Sequence, residues 1–227
     1  MTAEDVVNGK IFLIDKPLDW TSFDAVNKIR YALKKHFNIK KIKVGHAGTL
    51  DPKATGLLII CAGKKTKDID QLMGLEKEYT GTIKLGATTP SYDLETEENE
   101  QFSTEHITEN LLHEVAQSFV GIQQQIPPLF SAKKIDGVRA YEFARRGEDV
   151  ELKANQVEIK EFEITSVNAN FVNFKIVCSK GTYIRSIARD FGEKLNSGAY
   201  LTALRRTKIG DFSIENAQTI EQFIQSL

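Results

Sequence analysis

Twelve residues, Gly45-His46-Ala47-Gly48-Thr49-Leu50-Asp51-Pro52-Lys53-Ala54-Thr55-Gly56, put one carboxylate and one imidazole in a turn-rich, glycine-punctuated stretch. Asp51 is the only acid between residues 45 and 60, and basic residues lie on both sides of it. Pro52 fixes its own φ and pushes Asp51 out of the helical region, so the carboxylate sits on an extended or turn backbone. A carboxylate is ionised at neutral pH, with an ordinary pKa of about 3.9, and suits the part of nucleophile or base. The plainer reading is an Asp-Pro turn between two strands. Twelve residues of this composition, followed by the apolar run Leu57-Leu58-Ile59-Ile60-Cys61-Ala62, favour a site. A glycoside hydrolase would show two cooperating carboxylates, whereas this segment offers one.

The charge around that loop is uneven. The net charge of the 227 residues is −1, which by itself speaks against a polyanion binder. From Lys28 to Lys67, however, eleven Lys and Arg residues accompany Asp51 as the single acid. From Asp93 to Glu114 there are eight acids and no Lys or Arg, and Lys175–Lys208 carries eight basic against two acidic residues. Phosphate binding follows the local field, and counterion release rewards each basic contact, so the belt around Asp51 points to a polyanionic substrate. Gly63-Lys64-Lys65-Thr66-Lys67 is not a P-loop, because Leu58 stands where that motif needs a glycine. Lys64 and its neighbours are read as phosphate contacts. Four scattered histidines and two cysteines give no metal-ligand spacing. Cys61 and Cys178 lie in apolar stretches and read as buried free thiols. No apolar run reaches the roughly 20 residues of a membrane span, and the N-terminus lacks a signal-peptide apolar region.

The elements that must position these residues are legible from periodicity. Lys10–Asp15 reads as a buried strand. Thr21 or Ser22 caps a helix with Val26, Ile29, Leu33 and Phe37 on its buried face. Lys77–Gly86 alternates as a half-buried strand that begins near Tyr79. The acidic stretch after Asp93 reads as a mobile surface connection. Thr108 caps a helix with Leu111, Val115 and Phe119 inward, stapled by Ile107 and Leu112 and ended by Gly121. Residues 125–147 mix prolines, aromatics and basic residues. Val157–Val167 and Phe171–Ser179 pair around an Asn168-Ala169-Asn170 turn. The stripe Ile184, Ile187, Ala188, Phe191, Leu195 marks a buried helix face, with Tyr183 and Arg185 off it. Thr207–Ile214 reads as a strand and Ile220–Leu227 as a terminal helix.

The run G-H-A-G-T-L-D-P-x-A-T-G-L-L resembles the signature loop of the TruB family of tRNA pseudouridine synthases. That resemblance implies that Asp51 is the catalytic carboxylate and that His46 faces the RNA as a wedge. D-K-P…T-S at residues 15–22 is similar to the family N-terminus, with a structural part for Lys16. K-x-Y at 77–79 resembles the element whose tyrosine stacks on the target base, here Tyr79. Thr88–Asp93 resembles a further segment, and Asp93 matches its aspartate, next to the site or in contact with RNA. C-S-x-G-T-Y-I-R at 178–185 implies that Tyr183 lines the uracil pocket and that Arg185 pairs with the catalytic aspartate. Residues 199–207 resemble a third motif, whose base-packing leucine is best matched by Leu204. Residues 122–150 resemble the thumb that orders over the tRNA arm, with Lys133, Arg145 and Arg146 as RNA contacts.

The resemblance implies one α+β domain over 1–227 with the pseudouridine synthase fold: a mixed, largely antiparallel central sheet flanked by helices and loops, and a thumb-like insertion at about 122–150. The reaction implied is isomerisation of the T-loop uridine, tRNA position 55, in the cytoplasm. It requires no cofactor and no metal. The partner is the tRNA T-arm, with no membrane and no obligate protein partner, so a monomer is expected. Many family members continue into a small C-terminal RNA-binding (PUA) domain, and this chain stops first. The rival is an RNA-binding or RNA-folding protein that does not catalyse; a hydrolase that releases free uracil is a weaker third.

Overall fold

A computed structural model describes residues 1–131, 133–135, 138–146, 148, 150 and 152–227, with backbone alone at 134, 135, 139, 144 and 145. The fold is α+β with a mixed, mostly antiparallel sheet. Along the chain run α1 (Ala3–Gly9), β1 (Lys10–Lys16), α2 (Ser22–His36), β2 (Val44–His46), β3 (Ala54–Ala62), α3 (Ile69–Met73), β4 (Lys77–Leu85), β5 (Ala87–Thr88) and β6 (Glu100–Gln101). Then come α4 (Glu109–Gln117), β7 (Gly121–Gln125), β8 (Lys134–Ile135), β9 (Val138–Arg139), α5 (Ala140–Arg146), β10 (Asn155–Asn168) and β11 (Phe171–Cys178). The chain ends with α6 (Ile184–Lys194), β12 (Ala199–Ile209), β13 (Phe212–Ser213), β14 (Gln218–Thr219) and α7 (Ile220–Gln225). Two compact units form, Met1–Tyr79 with Leu204–Leu227 and Thr80–Ala203.

In the first unit β1 pairs antiparallel with β3 from Lys10↔Ala62 to Lys16↔Gly56. β14 adds to β1 in parallel, and the last part of β12 adds to β3 in parallel. β3 is buried on both faces, which is why its sequence is continuously apolar rather than alternating. Leu58, Ile60 and Ala62 pack with Val26, Ile29 and Leu33 of α2 and Phe223 of α7. Leu57, Ile59 and Cys61 pack on the other side with Ala47, Leu72 and Ile209. Burial pushes the Cys61 thiol up to about 11, and Cys178 is also a buried free thiol.

α2 begins where the sequence places it. Thr21 Oγ1 accepts the Asp24 N–H, and the Asp24 carboxylate accepts the Thr21 N–H, a reciprocal capping box. The same device starts α1 at Thr2 and α7 at Thr219. α1 is not anticipated by the sequence reading: it is only 7 residues long and buries one side chain, Val6. β3 starts at Ala54, earlier than Leu57, because the motif's tail is already hydrogen-bonded in the sheet. β12 begins at Ala199 rather than Thr207. Its alternation is hidden by the small residues and threonines among its apolar ones.

In the second unit β10 lies between β7 and β11. The β10–β11 hairpin closes Asn168↔Phe171 around Ala169, whose φ is +50°. Phe162 packs against Phe119, Phe174 and Phe191, so α6 and the segment just past α4 share an aromatic core with the hairpin. The acidic stretch is not the loose connection its charge suggests. Glu98 accepts from Lys84 (2.5 Å) and Tyr200 (2.7 Å), and Asn99 N–H donates to Thr88 O (3.0 Å). Arg185 lies off the apolar stripe of α6, yet it is buried among polar groups.

Gly56 ties the motif to the sheet. Its φ is +106°, and a Cβ there would lie 2.3 Å from the Arg206 carbonyl oxygen. Strain and clash together make Gly56→Ala cost about 3 kcal/mol. Urea unfolding of the variant is expected to show that loss at an unchanged m-value; a loss under about 1 kcal/mol would contradict the geometry.

Candidate active site

The motif loop is held from both ends. Ser22, the first residue of α2, is 2% exposed. Its Oγ donates to Leu50 O (3.0 Å) and accepts from Leu50 N–H (2.8 Å). Ala54 N–H donates to Asp51 O (3.0 Å) and Asp19 N–H to Pro52 O (2.9 Å), so the turn around Asp51 and Pro52 is closed by main-chain bonds. The Lys53–Asp19 ion pair at 2.8 Å is solvent-exposed and adds little. The stronger clamp is Arg206, 1% exposed on β12. Its Nε donates to Leu57 O (2.8 Å), Nη2 to Gly48 O (3.0 Å) and Nη1 to Thr49 O (3.4 Å). A buried guanidinium must fill its donors, and here it does so with carbonyls on both sides of the loop. No carboxylate pairs with Arg206 among the described residues.

Lys16, at the end of β1, is a second buried cation. It is fully buried, and Nζ donates to Pro17 O (2.8 Å) and Trp20 O (2.6 Å). Burial pulls its pKa from 10.5 down to about 8; the negative charge of Asp51 is the largest opposing influence, and Arg206 adds to the lowering. Two buried cations therefore set the field around the loop that carries Asp51. Arg205, next to Arg206, points the other way and forks onto Asp15 at 3.0 and 2.7 Å.

His46 sits on β2, paired with Ile60. Burial, followed by the positive charge of Arg206, lowers its pKa below 6.5, opposed by the Gly48 backbone. Its ring is therefore neutral at neutral pH. Nδ1 is buried and has no hydrogen-bond partner among the described residues. A neutral, partly exposed ring is suited to stacking on a base rather than to pairing with a phosphate. Tyr79 is 8% exposed on β4. Leu204 pairs with Ala54 in the β12–β3 ladder, three residues from Asp51. Lys64 is on the surface and donates to Asn8 (2.9 Å).

The second unit holds the other candidates. Asp93 is 4% exposed; Oδ1 accepts from Ser91 Oγ (2.6 Å) and Glu95 N–H (2.9 Å), and Oδ2 lies 3.6 Å from Arg185 Nε. Arg185 also donates to Ser91 O (3.1 Å) and Phe130 O (2.8 Å). Asp93 is thus placed to orient Arg185 from inside rather than to meet RNA on a surface. Tyr183 precedes α6, and both its backbone N–H and its C=O bond the Gln125 amide (2.8 and 3.1 Å). Lys133 donates to Lys153 O (2.7 Å) and Asn155 (2.9 Å), and Arg146 pairs with Glu148 at 3.1 Å. The side chain of Arg145 lies outside the described residues. The loop-supporting part that the resemblance implies for the D-K-P…T-S segment fits the Ser22–Leu50 bonds, whereas the sequence reading missed Arg206 as a loop holder. The only signal was an arginine pair in a run that had not been recognised as a strand.

Because Asp51 helps keep Lys16 charged, Asp51→Asn is expected to lower the Lys16 pKa further below 8. Carbon-13 titration of the lysine ε-methylenes reads this, and an unchanged or raised value would mean the two groups do not interact. The lowered value also fixes the sign of a stability effect. Folding disfavours the charged form, so the penalty is full below about pH 8 and is relieved as pH rises towards 10.5. Wild type should gain on the order of 3 kcal/mol relative to Lys16→Met across that interval. Parallel denaturation curves at pH 7.5 and 10.5 measure the difference.

Residues 34–184 match the family model described as TruB family pseudouridylate synthase (N terminal domain), and residues 185–227 match that of the tRNA pseudouridylate synthase B C-terminal domain. The chain is 58% identical over 228 residues to tRNA pseudouridine synthase B of Flavobacterium johnsoniae, covering 100% of both chains. It is 56% identical over 215 residues to tRNA pseudouridine synthase B of Phocaeicola vulgatus, covering 95% of this chain and 92% of the relative. Among solved structures, it superposes on a chain of a Cbf5–Nop10–Gar1 complex with a TM-score of 0.74 at 27% identity. That match covers 99% of this chain and 56% of the longer one, so the chain spans just over half of that protein. With the loop geometry, the two family models and these full-length relatives in agreement, the chain belongs to the TruB family of pseudouridylate synthases.

Proposed function

We propose that this protein isomerises the T-loop uridine of tRNA, position 55, to pseudouridine, with Asp51 as the catalytic carboxylate. The observation that carries this reading is the single carboxylate of a loop clamped by Arg206 and Ser22 and lying in the field of two buried cations. The reaction breaks C1′–N1 of uridine, turns the base and joins C1′ to C5. The proton from C5 goes to solvent and N1 takes one up, so atoms balance without a co-reactant. Three first steps are open to Asp51: attack at C1′, attack at C6, or removal of the 2′ proton. A group carried on a turn closed by main-chain bonds needs little backbone reorganisation in any of them.

The target uridine must leave its stack, at a cost of a few kcal/mol. Each base–aromatic contact returns about 1–3 kcal/mol. In this reading Tyr79 stacks on the flipped base, Tyr183 and Leu204 line the uracil pocket, and the neutral His46 ring occupies the space vacated in the RNA. Arg185, oriented by Asp93, is the ionic partner of Asp51. Residues 122–150 act as the thumb over the T-arm, with Lys133, Arg145 and Arg146 on the backbone, and Lys64 adds a phosphate contact. The protein works in the cytoplasm as a monomer and without a cofactor. The full-length relatives named tRNA pseudouridine synthase B support the choice of tRNA.

Tritium release from C5-labelled uridine in a tRNA T-arm transcript tests the reading. Wild type is expected to release label, and Asp51→Asn to release none while keeping RNA affinity within about tenfold. Retained turnover in Asp51→Asn would remove Asp51 from its role, and a silent wild type that still binds would leave an RNA-binding protein. Affinity is also expected to fall steeply between 50 and 200 mM salt, as phosphate contacts require; a flat response would count against the basic belt.

A further inference from the structure

α2 carries a face that the reaction does not use. Its inner stripe, Val26, Ile29 and Leu33, is in the core, as expected. On the outside, Phe23 and Tyr31 are 61% and 63% exposed. They lie two turns apart, about 12 Å along the axis. Lys28, Lys34 and Lys35 accompany them on the exposed side and make no ion pair among the described residues. The one acid on that side, Asp24, is consumed by the Thr21 cap. Arg30 is braced by Asn27, with its guanidinium held against the amide oxygen. The face is therefore basic, aromatic and uncompensated.

We infer that this outer face of α2 is an RNA-binding surface that holds the tRNA strand flanking the target uridine, with Phe23 and Tyr31 packing on unpaired bases or sugars and the lysines on phosphates. This rests on the function proposed above and extends it to a surface outside the base pocket. The helix is placed for it. Its first residue, Ser22, is bonded to Leu50 beside Asp51, and from there the face runs about 17 Å, from Phe23 to Lys34, away from the catalytic loop. At about 3.4 Å per stacked nucleotide this reaches roughly five nucleotides. Beyond its C-terminus the basic character continues through Lys40, Lys41 and Lys43 to β2 and His46. Isolated exposed rings would be ordinary on any surface. Rings interleaved with unpaired cations are the combination that single-stranded RNA rewards, because every base has a stacking face and every nucleotide a phosphate. A second copy of this chain is the poorer occupant, since the same face would meet its own excess of positive charge.

The test uses the full-length protein and a tRNA transcript with C5-tritiated uridine. Phe23→Ala/Tyr31→Ala is expected to raise KM at least about tenfold while kcat changes less than twofold. Lys34→Ala should weaken binding and lower the slope of log affinity against log salt by about one. A photoreactive benzoylphenylalanine at position 31 should crosslink within about five nucleotides of the target uridine. Unchanged KM and salt slope, with wild-type turnover intact, would overturn the inference and leave the proposed reaction standing. Loss of self-association in the double variant at unchanged KM would also overturn it, in favour of a protein contact. Absence of label release from wild type would sink the proposed reaction itself, and the crosslink would then report RNA binding on its own.

Discussion

The first unit depends on one buried charge. Arg206 is enclosed almost completely, and a guanidinium in that position is tolerable only if its donors are filled. It fills them with the carbonyls of Gly48, Thr49 and Leu57, so the cost of burying the charge becomes the force that shapes the motif loop. The glycine at 56 exists for the same contact, since only a residue without a Cβ lets β3 pass the Arg206 carbonyl at that distance. A salt bridge would have quenched the arginine. By taking neutral oxygens instead, the fold leaves its positive field available to the loop, and Lys16, bonded to two carbonyls, does the same.

Arg185 solves the same problem differently. It uses Asp93 at 3.6 Å together with two carbonyls, and Asp93 is itself fixed by Ser91 and the Glu95 amide. These buried contacts favour one arrangement of the arginine, because rotating it away would strand buried polar groups. The two arginines share a chemistry and differ in what is left over: Arg206 keeps its whole charge, whereas Arg185 is partly neutralised and precisely aimed by its carboxylate.

What could be read from the sequence was local. The Thr21 cap with Asp24 three residues on, the doubly buried run of β3 and the β10–β11 hairpin are all written within a few residues of where they act. So was the motif around Asp51, whose length made its family legible. What could not be read depends on partners far along the chain. Arg206 reaches residues about 150 positions earlier, and nothing near it in sequence distinguishes it from Arg205, which turns to the opposite side. The acidic stretch misled for a related reason: its charge suggested a solvated connection, but Glu98 finds Lys84 and Tyr200 only once the unit has formed. α1 was invisible because seven residues with one buried side chain leave almost no periodic signal.

The division of the chain has a consequence for how the protein is made. The second unit is one continuous stretch, Thr80–Ala203, whereas the first is split between Met1–Tyr79 and Leu204–Leu227. On the ribosome the N-terminal segment emerges first, but Arg206 follows only after the whole of Thr80–Ala203 has been made. Until then the loop that holds Asp51 lacks its clamp, and β1 lacks its parallel neighbour β14. A truncated or stalled chain could carry every residue of the motif and still not hold it in shape. Assembly of the loop thereby waits until the chain has been made past Arg206.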